Sequence, residues 1–255
     1  MTTKKIKPAK PVRIDQALFD RELCESREKA KRAVIAGRVR INGQLAHKAS
    51  ELVQEDDSIT LEGTERFVSR GGHKLEHAIG HFKIDVTGLT AADLGASTGG
   101  FTDCLLQYGV AKVFAVDVGQ GQLAWKLRQD PRVKVMEKTN ARFLKPSDFQ
   151  SPIDVAVIDC SFISLRLLLQ PACSIVRKGG KIIALVKPQF EAGRSEVSKG
   201  RGVIRDAAIH QRVLDELTQF VDASGTLRWL GSTESPLLGP AGNKEFLALI
   251  EVQSK

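Results

Sequence analysis

Ala91-Ala-Asp-Leu-Gly-Ala-Ser-Thr-Gly-Gly-Phe-Thr-Asp103 is followed downstream by Val113-Phe-Ala-Val-Asp117. The first stretch reads as an apolar strand that enters a glycine-rich turn and then a helix. The second reads as a strand delivering a carboxylate. From such parts an open α/β sheet builds an adenosine-binding crevice at the carboxyl ends of its strands. Gly95, Gly99 and Gly100 are spaced G-x-x-x-G-G. The G-x-G-x-x-G that brings backbone against a pyrophosphate is absent, which disfavours a nicotinamide dinucleotide. No Lys-Ser or Lys-Thr follows, which excludes a P-loop. A turn opened by Asp93 without a phosphate cradle suits a ligand with a cationic or zwitterionic tail. S-adenosylmethionine is such a ligand. Asp93 and the turn (Gly95, Ser97, Gly99, Gly100, Phe101) would face its amino acid part, and Asp117 would accept hydrogen bonds from its ribose. The competing reading is an ordinary α/β turn whose glycines serve tight packing.

Length and charge bound the rest. The 255 residues leave room for one α/β domain plus a small module. The chain carries a net charge of +8, and residues 1–50 hold 13 Lys and Arg against 5 Asp and Glu, which is the whole excess. That concentration points to a polyanionic partner, with nucleic acid as the default and an anionic membrane surface or a solvated face as rivals. Cys24, Cys104, Cys160 and Cys173 form no C-x-x-C pair, so they read as free thiols of a reducing cytoplasm. The basic N-terminus lacks the apolar segment of a signal peptide. The longest apolar runs, such as Ile182–Val186, are strand-length, far short of the roughly 18 residues that span a bilayer.

The expected organisation is a disordered basic tail (1–11), a small module (12–62), a linker (63–70) and a large domain (71–255). In the module, Ile14, Ala17 and Leu18 form an i, i+3, i+4 stripe. Ser26 is a candidate N-cap for a second helix with Ala30, Ala33 and Val34 inward and Gly37 as its stop. Val39-Arg-Ile-Asn-Gly43 reads as a hairpin. In order, Arg13-Ile-Asp-Gln-Ala-Leu, the run from Ser26 to Val39 and Ile41-Asn-Gly resemble the S4 domain, an RNA-binding fold. The resemblance implies that Arg13, Arg27, Lys29, Lys31, Arg32, Arg38 and Arg40 face RNA, reading A-form shape through phosphates more than sequence.

The large domain alternates. Strands are expected near 89–93, 112–117, 132–136, 153–159, 181–187, 227–231 and 245–252. Helices are expected from Gly71 and near 99–108, 121–129, 165–177 and 206–223. This pattern predicts a mostly parallel, doubly wound, Rossmann-like sheet of seven strands. The short connection before the last strand makes that strand antiparallel, the class I S-adenosylmethionine-dependent methyltransferase arrangement.

Two strands end in charge: Ile153-Asp-Val-Ala-Val-Ile-Asp159 and Lys181-Ile-Ile-Ala-Leu-Val-Lys187. Desolvation in a cleft favours the neutral form of a lysine, which can act as a base. Glu245 opens the last strand and Lys74 the helix before the sheet. The order Lys74, Asp159, Lys187, Glu245 is similar to the catalytic order Lys–Asp–Lys–Glu of the FtsJ-like ribose 2′-O-methyltransferases. Four strings carry a wider resemblance, over about residues 10–252, to the TlyA (haemolysin A) family. They are Ser69-Arg-Gly-Gly-His-Lys-Leu, Asp93-Leu-Gly-Ala-Ser-Thr-Gly-Gly-Phe-Thr, Asp159-Cys-Ser-Phe-Ile-Ser-Leu and Val186-Lys-Pro-Gln-Phe-Glu. Phe67 stands where some members carry a tryptophan.

That resemblance implies 2′-O-methylation of cytidines in ribosomal RNA, free or in assembled subunits, with Lys187 taking the hydroxyl proton. Asp159 and Glu245 would orient lysine and substrate, and Lys74 would balance charge. Asp159 is also a cofactor candidate. Asn140 is a candidate for the adenine pocket, with a plain turn residue as its rival reading. No metal is expected, since the carboxylates are dispersed and His73, His77 and His81 have no acid cluster beside them. The alternatives are an RNA-binding ribosome-assembly protein with a vestigial methyl-donor site and a membrane-active haemolysin, for which no amphipathic membrane segment is evident.

Overall fold

The computed structural model describes residues 11–63 and 66–253, so the expected tail, apart from Pro11, lies outside the described residues. The chain divides into two compact units between Arg66 and Phe67.

The first unit opens with β1 (Val12–Arg13), α1 (Ile14–Asp20) and α2 (Arg27–Ile35). It continues with β2 (Val39–Ile41), β3 (Gln44–Leu45), β4 (Leu52–Val53) and β5 (Ile59–Leu61). Ser26 caps α2 by accepting from the Lys29 amide at 3.3 Å. Asn42 and Gly43, at φ +52° and +81°, make the tight β2–β3 turn, a conformation that Asn-Gly adopts at low cost. β2 is flanked by β3 and β5. Ile14, Leu18, Ala30, Val34, Val39 and Val53 form the core, and the helical stripes read from sequence are its inward faces.

The second unit runs through α3 (Gly71–Phe82), β6 (Thr90–Leu94), α4 (Gly100–Gln107), β7 (Lys112–Val116), α5 (Trp125–Arg128) and β8 (Val133–Met136). Then follow β9 (Ile153–Ile158), α6 (Arg166–Ile175), β10 (Val176–Val186), α7 (Pro188–Glu191), α8 (Arg194–Lys199) and α9 (Ala207–Asp222). β11 (Leu227–Glu234) and β12 (Phe246–Val252) close it. Its seven strands lie in the order β11-β12-β10-β9-β6-β7-β8. β12 is antiparallel to both neighbours, and the β10-to-β8 pairings are parallel.

Residue parity assigns the two buried faces. Ala92, Leu94, Ala156, Ile158, Ile182 and Ala184 share a cluster with residues of α6 and α9. Ala91, Val113, Val155, Val157, Ile183 and Leu247 share one with α3 and α4. Three features depart from the sequence expectation. Phe67, expected in a linker, is 2% exposed in the core of this unit, and the Val68 amide donates to Asp103 at 2.8 Å. α5 spans only four residues, because the preceding segment is spent on turns around Gly119 and Gly121. β10 starts at Val176 and shifts register before Lys181, where Gly179 takes φ +73°.

Candidate active site

Every charged residue singled out in the large domain, Lys74 apart, sits at one edge of the sheet because of strand direction. Asp93 lies near the end of β6, Asp117 follows β7, Asp159 follows β9 and Lys187 follows β10. β12 runs the opposite way, so its start meets their ends: Val186 pairs with Phe246, setting Glu245 beside Lys187 in register. Lys74 reaches the same edge from the first turn of α3. A cleft of about 300 Å³ opens there, and its walls include Lys74, Asp159, Lys187 and Glu245.

Two ion pairs organise the four. Lys187 Nζ lies 2.7 Å from Asp159 Oδ1 and donates to Ser161 Oγ at 2.9 Å. Lys74 Nζ donates to Glu245 Oε2. Glu245 is 1% exposed and the two lysines 8% each. Charges this buried persist only as hydrogen-bonded partners. Glu245 is therefore the partner of Lys74, while Asp159 and Ser161 hold Lys187.

The glycine-rich turn is held from within. Gly95 adopts φ +89°, and a Cβ there would stand 2.7 Å from the Asp159 carbonyl oxygen. At Gly99, φ is +96° and a Cβ would meet Leu127 Cδ1 at 2.2 Å. Both glycines thus serve close internal approach. Gly95, Ser97, Gly100 and Phe101 line the cleft, whereas Asp93, Gly99, Asp117 and Asn140 are not among its described lining residues.

Asp93 is fully buried. Its Oδ2 accepts from Thr102 Oγ1 at 2.6 Å, and Oδ1 has no partner among the described residues. Burial pushes its carboxyl up to about 7, with Thr102 opposing and Asp159 and Asp117 adding repulsion. An unsatisfied buried acceptor beside a turn matches a cationic amino group or a water that it holds, so the turn fits the zwitterionic tail of S-adenosylmethionine.

Asp117 accepts from the Ser97 amide at 2.8 Å and the Gly119 amide at 2.7 Å, one on each oxygen. A carboxylate retains further lone pairs for ribose hydroxyls. Asn140 is an exposed cap accepting from the Arg142 amide at 3.0 Å.

Several features escape a reading of the sequence. Ser161 lies inside Asp159-Cys-Ser-Phe, and its proximity to Lys187 is invisible without the sheet. Ser69 and Arg70, expected in a linker, line the cleft, as do Leu237, Leu238 and Pro240 from a loop without periodicity. Glu191 accepts from Ser164 Oγ at 2.7 Å and the Leu165 amide at 2.6 Å, tying the segment after Lys187 to the loop after Asp159. Phe162, in that loop, is 92% exposed at φ +62°, with its ring 5.3 Å from that of Phe190. Burial, then Asp159, pushes the Cys160 thiol up to about 12. Cys104 and Cys173 are buried, and Cys24 and Cys160 partly so.

In the first unit the expected RNA-facing cations are largely engaged. Asp15, with 0% exposure, accepts from Arg13 at 2.9 Å and Arg27 at 3.2 Å. Lys29 pairs with Glu25 at 2.5 Å and Lys31 with Glu28 at 2.6 Å. Arg38 donates to the Glu62 carbonyl at 3.0 Å and Arg40 to the Glu62 carboxylate. Arg32 is exposed. Among the described residues no group of three or more side chains is arranged to hold a metal ion, and no helix is long and apolar enough to cross a membrane.

The sheet order, the antiparallel last strand and the edge cleft define a class I methyltransferase fold. Residues 67–251 match the FtsJ-like methyltransferase family and residues 12–59 the S4 domain. YqxC of Bacillus subtilis (strain 168), provisionally named an rRNA methyltransferase, is 48% identical over 241 residues, 94% of this chain and 85% of the relative. The 16S/23S rRNA (cytidine-2′-O)-methyltransferase TlyA of Mycobacterium tuberculosis is 42% identical over 250 residues, 96% of this chain and 92% of the relative. A solved structure from Streptococcus thermophilus with a provisional hemolysin name superposes with TM-score 0.75 at 45% identity, covering 98% of this chain and 90% of that one. The chain belongs to the FtsJ-like methyltransferases that carry an S4 domain, the TlyA (haemolysin A) family.

Proposed function

We propose that this protein transfers a methyl group from S-adenosylmethionine to the ribose 2′-hydroxyl of cytidine in ribosomal RNA, in the cytoplasm. The carrying observation is the coordination of Lys187. Asp159 and Ser161 occupy two of the three positions around Nζ, at 2.7 and 2.9 Å, which leaves the third for the ribose hydroxyl.

When bound, S-adenosylmethionine supplies a methyl group made electrophilic by its sulfonium. Lys187 Nζ, after releasing one proton to solvent, receives the 2′-hydroxyl proton, and Asp159 stabilises the ammonium re-formed. Glu245 holds the Lys74 ammonium at the cleft, where it stabilises negative charge developing on the ribose oxygen. Phe162, next in sequence to Ser161 of the cleft wall, is an exposed ring on which an unstacked base can lie.

The test is transfer of radiolabelled methyl to unmodified small and large ribosomal subunits and to free ribosomal RNA, followed by nucleoside analysis. Label is expected in 2′-O-methylcytidine. Lys187→Ala and Lys187→Arg should each cut the rate by at least ~10²-fold, because general-base catalysis is worth roughly 10²–10⁴ and arginine does not give up its proton. Binding of S-adenosylmethionine without label in any RNA would overturn the reading.

A further inference from the structure

The segment Ser198-Lys-Gly-Arg-Gly-Val-Ile-Arg205 carries three cations and no acid. It is a fixed strap. The Gly202 amide donates to the Val197 carbonyl at 2.9 Å and the Val203 amide to the Gly200 carbonyl at 3.0 Å. Asn243, 2% exposed, accepts from the Ile204 amide at 2.9 Å and donates to the Gly202 carbonyl at 3.0 Å. His210, 5% exposed, lies with Nε2 3.1 Å from the Ile204 carbonyl oxygen. Two buried polar side chains are thus spent on three backbone groups of Gly202 and Ile204, and the Ile204 side chain is itself 3% exposed.

What this anchorage presents is Arg201 and Arg205, both exposed, on either side of the anchored stretch. Arg201 is held at φ +52°, a conformation that a side chain of its size adopts only under constraint. Neither arginine has an ion-pair partner among the described residues. The nearby acids are committed: Glu196 to Arg212 at 2.6 Å, and Asp206 to the Ala208 amide as the cap of α9. Elsewhere in the unit Arg128, Arg132, Arg166 and Arg177 are all paired with carboxylates. The anchor also ties the strap to the cleft. Asn243 precedes Glu245 by two residues, and its carbonyl accepts from Gly239 in the loop whose Leu237, Leu238 and Pro240 wall the site.

We propose that Arg201 and Arg205 clamp backbone phosphates of the RNA strand flanking the target ribose, an inference that rests on the RNA-methylating reading above. Two guanidiniums on a rigid strap lose little entropy on binding and match phosphate oxygens in geometry and charge. Such contacts set the register of the strand without reading its bases.

The test measures affinity for in vitro transcribed, unmodified ribosomal RNA over a range of salt concentrations. It compares the wild type with the double variants Arg201→Ala/Arg205→Ala and Arg201→Lys/Arg205→Lys. S-adenosylmethionine binding serves as the check on folding. The alanine pair should weaken RNA binding about tenfold or more and flatten the slope of log K against log salt by about 2, as expected for two lost phosphate contacts. The lysine pair should restore the slope. An unchanged affinity and slope in the alanine pair, alongside wild-type methyl transfer, would overturn the clamp and leave the methylation reading standing. So would a weakened affinity with an unchanged slope. A wild type that neither binds nor methylates RNA would bring down both.

Discussion

Asp93 has no exposure, and one of its carboxyl oxygens lacks a partner among the described residues. Its carboxyl is raised from an ordinary 3.8 to about 7, chiefly by burial. Between those values the folded chain binds the proton more tightly than the unfolded chain. Stability is therefore greatest at the acid end of the window and falls as pH rises through it, with the penalty complete above about 7. Asp93→Asn removes the titration and keeps a partner for Thr102. Urea denaturation should find the variant more stable than wild type at pH 8, by an order of a few kcal/mol, with the gap closing towards pH 4. The same variant should bind S-adenosylmethionine more weakly at pH 8, having lost the charge that meets its amino group. Asp159 and Lys187 are legible in sequence because each ends an apolar strand. The partner assignment is not, since pairing Glu245 with Lys74 and not with Lys187 depends on the position of α3.

At the scale of elements, α3 and the start of β12 are joined by a buried ion pair. Removing either partner leaves an uncompensated charge, at a cost of about 3–5 kcal/mol. Lys74→Met and Glu245→Gln should each lower stability by that order. The double variant should lose less than the sum, because it removes both charges. A double-mutant cycle by chemical denaturation reads the coupling directly, and additive losses would mean the pair is not formed. Strands are the most legible elements, since short β-branched runs bounded by glycine and charge fit a sheet far better than a helix. The short helices α7 and α8 are invisible in the sequence because four to six residues carry no periodic signal. Gly179 and Gly180 look like a turn that would start β10 at Lys181, whereas they form an irregularity within one strand.

Over the whole molecule the excess positive charge resides in the first 50 residues, but most of those cations are held by acids or carbonyls of their own unit. A polyanion held through exposed cations such as Arg32 predicts a charge-reversal effect. Charge reversal at Lys29 and Arg32 to glutamate should lower affinity for ribosomal RNA more than tenfold, most strongly at low salt. It should leave S-adenosylmethionine affinity within twofold of wild type. Filter binding and calorimetry measure the two separately, and equal losses in both would mean a folding defect.

The position of β12 in the sheet carries a consequence for biosynthesis. β11 is made before β12 yet lies outside it, so β11 has no edge to join until the last strand has been inserted against β10. Lys74 and Glu245 are 171 residues apart in the chain, and contacts that distant form late because the intervening loop must first be closed. A nascent chain on the ribosome can therefore build the methyl-donor turn well before it completes the acceptor side of the cleft. The cluster of Lys74, Asp159, Lys187 and Glu245 is complete only when the final strand is placed, after the turn and both lysines have already been translated.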